Sequence, residues 1–186
     1  MTIPNMITIM RLVLVPAVVL AMLDMRWDWA FAGFLIAGIS DGVDGFIARR
    51  FNQHSRLGAY LDPMADKLLL VSVFVVMGFI GELPLWLVVT MVSRDALIVC
   101  AVLLSTVMNH PVEMKPLFVS KANTAIQIIL AAVVLGELAL TVQLDPLRPV
   151  LILLSGVLTV ASAAAYLVAW LRHMSGYGEG STPGAG

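Results

Sequence analysis

Read for polarity alone, the chain alternates long apolar runs with short polar breaks. The breaks are DMRWDW, NQHSR, GELP, NHPVEMKP and DPLRP, and the runs between them consist mostly of Leu, Val, Ile and Ala. A helix that spans a bilayer needs about 20 mostly apolar residues. On that measure the pattern predicts six spans, roughly 8–23, 29–49, 59–80, 84–108, 118–141 and 147–171. Pro84, Pro116 and Pro149 fall near predicted helix starts, where a missing N–H is tolerated. The first run carries Arg11 inside it and lacks a small-residue cleavage site before Asp24, so it reads as a retained helix rather than a signal peptide. The closing SGYGEGSTPGAG reads as a disordered tail. The expected organisation is one all-α membrane domain over 1–173, a bundle of six transmembrane helices, followed by a tail over 174–186.

Composition sharpens this picture. Of the 186 residues 60% are hydrophobic and 12% charged, against about 25% charged in a soluble domain. The 11 basic and 12 acidic residues nearly cancel, which argues against a nucleic-acid partner on bulk charge. A single cysteine, Cys100, excludes a disulfide framework and reads as an inert buried thiol. Gly78 and Gly81, taken as part of the third helix, permit close helix packing.

Position carries what bulk charge does not. With the N-terminus in the cytoplasm, Arg49, Arg50, Arg56, Lys67, Lys115, Lys121 and Arg172 all fall at or near the cytoplasmic face. Arg26 and Arg148 fall at the other face, beside Asp24, Asp28, Glu82, Glu137 and Asp145. This asymmetry follows the positive-inside rule and predicts that both termini are cytoplasmic.

The unusual feature is a charged stretch at the cytoplasmic ends of the second and third helices, DGVDGFIARRFNQHSRLGAYLDPMADK. Asp41 and Asp44, three apart, share one helix face, and Asp62 and Asp66, four apart, share another. Four carboxylates brought together repel unless a cation sits among them. An all-oxygen set suits Mg²⁺, Mn²⁺ or Ca²⁺, and the lack of His or Cys at ligand spacing disfavours zinc. A hard cation with open positions invites a diphosphate. Gly42 and Gly45 allow close approach to the backbone, Arg49 offers a fork for phosphate oxygens, and Ser55 and Arg56 in the turn add contacts. The competing reading is a solvated interfacial cap, or salt bridges to Arg49, Arg50, Arg56 and Lys67.

The stretch Asp41-Gly-Val-Asp44-Gly45-Phe-Ile-Ala48-Arg49, eight residues, Gly58, three residues, Asp62, three residues, Asp66 resembles the signature of the CDP-alcohol phosphatidyltransferases, with every fixed position filled. The resemblance implies a Mg²⁺- or Mn²⁺-dependent membrane enzyme with its active site at the cytoplasmic side, acting on CDP-diacylglycerol and a second lipid or alcohol. Asp41, Asp44 and Asp62 would hold metal, and Asp66 would be the general base and, in a two-metal arrangement, also a ligand. Gly45, Ala48 and Arg49 would line the diphosphate site. Asn5, Thr8 and Arg11, three apart in the opening segment, form a polar stripe that faces the nucleotide or marks an interfacial helix start. The resemblance also implies a homodimer.

For the acceptor, SRDALI and KPLFVSKANTAIQ resemble the CMP-forming cardiolipin synthases of mitochondria and some bacteria. That implies phosphatidyl transfer to phosphatidylglycerol, giving cardiolipin and CMP, in a bacterial inner membrane. The alternative is a phosphatidylglycerophosphate synthase that uses glycerol 3-phosphate. Arg94 and Lys121 are the candidate acceptor contacts; the other readings are an Arg94–Asp95 structural pairing with neighbouring helices and a snorkelling lysine. A reading from another class is a divalent-cation carrier, which needs acidic residues near mid-membrane on more than two helices.

Overall fold

The computed structural model of the chain describes the backbone of residues 3–51, 56–107 and 118–178, and side chains over 10–40, 67–101, 103–105 and 118–171. Every regular element among the described residues is an α-helix: α1 (Ile3–Leu23), α2 (Trp27–Phe51), α3 (Arg56–Phe79), α4 (Leu85–Val107), α5 (Phe118–Leu140) and α6 (Leu147–Gly178). These are the six expected elements, with two ends displaced. The first helix is already formed at Ile3, ahead of the predicted start at 8, with Pro4 near its beginning, where proline suits a helix. The last runs to Gly178, past the boundary drawn after residue 173. Hydropathy marks where a helix stops being apolar, not where it stops being a helix.

Three helices are long and apolar enough among the described residues to cross a bilayer, over Leu85–Ser105, Phe118–Leu140 and Leu147–Leu171. In the other three helices the apolar stretches with described side chains are Met10–Leu23, Trp27–Ser40 and Lys67–Phe79. In α2 and α3 the rest of the helix is the charged signature stretch.

The helices pack as a connected bundle. α1 lies against both α2 and α3, α2 also against α5, α5 against α6, and α6 against α4. Each contributes one stripe to the core. Ala30, Phe34 and Ala37 come from α2, Leu70, Val73, Phe74 and Met77 from α3, and Leu130, Ala131, Val134 and Leu135 from α5. The spacings of three and four are those of one helix face. The outer faces remain apolar, with Val13, Leu20, Val89, Val99, Leu153 and Val160 all exposed. Such faces suit lipid tails. In that solvent, helix association rests on close packing and polar contacts rather than on apolar burial. Two glycines supply the close approach: a Cβ on Gly33 would lie 2.7 Å from Val18, and one on Gly156 would lie 2.8 Å from the Trp86 ring.

Two expectations are corrected here. Gly81 is not a packing residue of the third helix. It follows the helix end with φ of 85°, donates to the Gly78 carbonyl at 3.3 Å, and turns the chain so that the Glu82 N–H reaches the Met77 carbonyl at 2.9 Å. Gly78 does pack closely, but within the chain, against Val88. Cys100 is exposed rather than buried, because its apolar neighbours on α4 belong to the outer face of the bundle.

The turn after α3 anchors one end of the bundle. Arg148 of α6 donates from Nη1 to Glu137 of α5 at 3.2 Å, and from Nη2 to the Glu82 carboxylate at 2.8 Å and to the Glu82 carbonyl. The second Glu137 oxygen accepts the Leu144 N–H at 2.9 Å. One guanidinium thereby joins the α3–α4 turn, the end of α5 and the start of α6.

Candidate active site

The signature lies where α2 ends and α3 begins. Asp41, Asp44, Gly45, Ala48 and Arg49 are helical positions of α2, and Arg56, Asp62 and Asp66 are helical positions of α3. The helical backbone holds Asp41 and Asp44 in one register, and Asp62 and Asp66 in another, as the spacing predicts. The side chains of these residues, and those of Asn5 and Thr8 in α1, lie outside the described residues, as does Ser55 entirely. As a donor set, four carboxylates fit a hard divalent cation by their chemistry.

Directly beside the signature is a cavity of about 550 Å³. Its walls are the residues that flank the signature in sequence. Phe34, Leu35, Ala37, Gly38 and Ile39 lead up to Asp41, and Lys67, Leu69 and Leu70 follow Asp66. Arg11 of α1 and Thr124, Ile128 and Ala132 of α5 complete the lining. A Cβ placed on Gly38 would meet nothing within 4 Å. The cavity is therefore apolar along most of its wall, with two cationic side chains and one hydroxyl among the lining residues. A volume of this size falls in the range of about 300–1,000 Å³ typical of small-molecule sites.

Lys67 belongs to a chain of charges running across the bundle. Its Nζ stands 2.8 Å from each oxygen of Asp95 on α4. The same carboxylate accepts from Nη1 of Arg94 at 2.6 Å. Arg94 is 4% exposed. It donates from Nε and Nη2 to Ser162 of α6 at 3.2 and 2.6 Å, and from Nη2 to Ser120 of α5. Its guanidinium carbon also lies 5.5 Å from the centre of the Tyr166 ring. Arg94 and Asp95 thus link α3, α4, α5 and α6. A buried charge is tolerated only when paired and hydrogen-bonded, and Arg94 satisfies both conditions.

A second buried polar set continues along the α5–α6 seam. Thr159 donates to the Asn123 side-chain oxygen at 3.0 Å and accepts from the Gln127 amide at 3.3 Å. Together with Ser120 and Ser162, these residues make one polar stripe beneath Arg94. Hydrogen bonds of this kind between membrane helices contribute about 0.6–2 kcal/mol each.

These placements sort three of the residues singled out from the sequence, those whose side chains are described. Arg94 sits among helix-joining partners, paired with Asp95, and is not part of the cavity wall. Lys121 is exposed and also lies off the cavity wall, whereas Thr124 on the same helix is part of it. Arg11, of the opening polar stripe, is 1% exposed and lines the cavity. Sequence reasoning gives Lys67 only a salt-bridge role and misses its place on the cavity. The signal is nevertheless present: Lys67 precedes Leu70, Phe74 and Met77 on the inward stripe of α3, three, seven and ten residues on. Asp95, the acidic residue that a cation carrier would need at mid-membrane, is occupied by two cations.

Comparison with known proteins agrees with this geometry. A family model described as CDP-alcohol phosphatidyltransferase matches residues 1–171. The chain is 46% identical over 99 residues to a putative cardiolipin synthase of Mycobacterium tuberculosis, covering 53% of this chain and 47% of that protein. It is 35% identical over 147 residues to the human cardiolipin synthase (CMP-forming), covering 70% and 49%. It is 33% identical over 184 residues to a probable cardiolipin synthase (CMP-forming) of Drosophila melanogaster, covering 90% and 57%. The chain spans about half the length of these curated relatives. With the family match running through all six helices and the signature complete on α2 and α3, the chain belongs to the CDP-alcohol phosphatidyltransferase family.

Proposed function

We propose that the protein transfers a phosphatidyl group from CDP-diacylglycerol to phosphatidylglycerol, giving cardiolipin and CMP. The observation that carries this reading is the apolar cavity walled by the residues on either side of the signature, with Arg11 and Lys67 on its lining. An amphiphile with an anionic head and a fatty chain matches such a wall. The names of the relatives support phosphatidylglycerol as the acceptor over glycerol 3-phosphate.

The reaction needs a hydroxyl of phosphatidylglycerol placed in line with the lipid-side phosphorus of the donor. The new O–P bond forms there, the P–O bond to CMP breaks, and the hydroxyl proton passes to the Asp66 carboxylate as general base. Asp41, Asp44, Asp62 and Asp66 are the residues that would hold Mg²⁺ or Mn²⁺. Such a cation, when bound, neutralises the diphosphate and the charge that grows on the departing CMP. Gly45 and Ala48 give the diphosphate close access to α2, and Arg49, Ser55 and Arg56 hold its oxygens, with Asn5 and Thr8 toward the nucleotide. The protein works in this reading as a multi-pass homodimer of a bacterial inner membrane, with the signature and both termini on the cytoplasmic side. The gathering of basic residues in the segments predicted at that face supports the orientation.

The reaction class is tested by CMP release from CDP-diacylglycerol by the purified protein in phosphatidylglycerol-containing micelles. CMP should appear only when a divalent cation and an acceptor lipid are both present. Undiminished release in excess chelator would remove the carboxylate cluster from its metal-holding role.

A further inference from the structure

The cavity lining and the charge chain meet at one residue, Lys67. Its ammonium has three protons. Two are directed at the oxygens of Asp95, each 2.8 Å away, and the side chain is 42% exposed and lines the cavity. Asp95 is itself held by Arg94, whose remaining donors are fixed on Ser120 and Ser162 of two further helices. A lysine on an apolar wall would otherwise swing its flexible stem toward the nearest water. Here a carboxylate anchored by a buried arginine fixes where the ammonium stands.

The sum of charge points the same way. Among the described residues of this charge chain, Lys67 and Arg94 against Asp95 leave one net positive charge, and Lys67 is the member that lines the cavity. This positive site lies outside the signature. In the proposed reaction the signature serves the diphosphate of the donor, and a second anion is brought by the acceptor, whose phosphodiester sits at the head of a fatty chain. We propose that Lys67 receives the phosphodiester of the acceptor phospholipid at this cavity, with Asp95 and Arg94 as its positioning residues. The inference rests on the reading of phosphatidylglycerol as acceptor. It makes Lys67 the residue that favours an anionic lipid acceptor. Asp66, the preceding residue of α3, is offset from it by about 100° around the helix, so base and phosphate contact occupy adjoining positions of one turn.

The test separates donor from acceptor. Steady-state rates of cardiolipin formation are measured for the full-length wild type, K67Q, K67R and D95N, varying phosphatidylglycerol at saturating CDP-diacylglycerol and then the reverse. K67Q should raise the KM for phosphatidylglycerol about tenfold or more while leaving that for CDP-diacylglycerol within about twofold, as expected when one charge-assisted contact to a single substrate is lost. K67R should recover most of the loss, and D95N should raise the same KM by a smaller factor. A purely structural role would lower the amount of active enzyme without moving one KM alone. A rise in the CDP-diacylglycerol KM instead, or no change in either, overturns the proposal. A second readout is equilibrium binding of tail-labelled phosphatidylglycerol to the same proteins in micelles without donor, with inorganic phosphate as competitor. Weakened lipid binding by K67Q supports the proposal, and unchanged binding overturns it even where K67Q is inactive. Relief of lipid binding by millimolar phosphate would show that free phosphate suffices, and overturn the requirement for a lipid phosphodiester. If the wild type binds the lipid through Lys67 but makes no cardiolipin, the acceptor reading fails while the site stands.

Discussion

Among the described residues two clusters of charge join the helices of this bundle, and they are built alike but differ in what they leave over. At one end Arg148 satisfies Glu82 and Glu137, and a backbone N–H takes the remaining Glu137 oxygen. Nearer the signature, Arg94 and Lys67 share Asp95, and Lys67 stays part-exposed on a cavity. The first cluster carries one cation against two carboxylates and joins a turn to two helix ends. The second carries two cations against one carboxylate and joins four helices; each cluster has a member on a cavity wall, Glu137 in the first and Lys67 in the second. By charge count among the described residues, the first leaves one net negative charge and the second one net positive. Ion pairing in a membrane is thus not by itself a mark of function; what matters is the charge left over and whether anything can reach it.

Substitutions can break this contrast, and the largest effect belongs to the signature. Asp66→Asn should lower turnover at least about a hundredfold, the usual contribution of a general base, while donor binding by calorimetry stays near wild type. Retained turnover would remove Asp66 from that role. Next come the two arginines. Arg94→Ala leaves Asp95 with Lys67 alone and takes the guanidinium from Ser120 and Ser162. It should cost about 3–5 kcal/mol of stability, as broken buried pairs do. Thermal unfolding in detergent reads that loss, and the surviving enzyme should also bind phosphatidylglycerol more weakly. Arg148→Ala should also lower the melting temperature, by about 3 kcal/mol equivalent, since Glu137 is only 8% exposed. There, however, the KM for both lipids should remain unchanged. A shift in either KM would erase the distinction between the clusters.

Smaller effects sharpen the picture. Gly156→Val should clash with Trp86 and cost about 1–3 kcal/mol, visible as a lower melting temperature with normal kinetics. Lys121→Ala should change the phosphatidylglycerol KM by less than about twofold, because an exposed charge off the cavity wall contributes little. A tenfold change would return Lys121 to the acceptor site.

How far the sequence speaks is clear from these same residues. Apolar runs of twenty residues announce helices, and spacings of three and four announce shared faces, so the six elements and the paired aspartates are legible directly. Charge distribution likewise separates Arg148 and its glutamates from the basic residues of the other face. What a run of hydropathy does not encode is how each helix is rotated against its neighbours. In apolar helices that rotation is decided by small residues such as Gly33 and Gly156, not by a contrast between polar and apolar faces. That is why the sequence does not reveal that Lys67 lines the cavity while Lys121 and Arg94 do not. The same lack of contrast hides the outward placement of Cys100. Gly81 escapes for a different reason, since a single positive φ ends a helix without interrupting an apolar run.

The central claim is the transfer itself, and an acceptor panel tests it most directly. The purified protein is incubated with CDP-diacylglycerol and Mg²⁺ or Mn²⁺, and phosphatidylglycerol, glycerol 3-phosphate, serine or inositol phosphate is offered separately. Mass spectrometry of the lipid products then names the acceptor. The account predicts cardiolipin with phosphatidylglycerol and no comparable product with the others. Phosphatidylglycerophosphate from glycerol 3-phosphate, with no cardiolipin from phosphatidylglycerol, would contradict it.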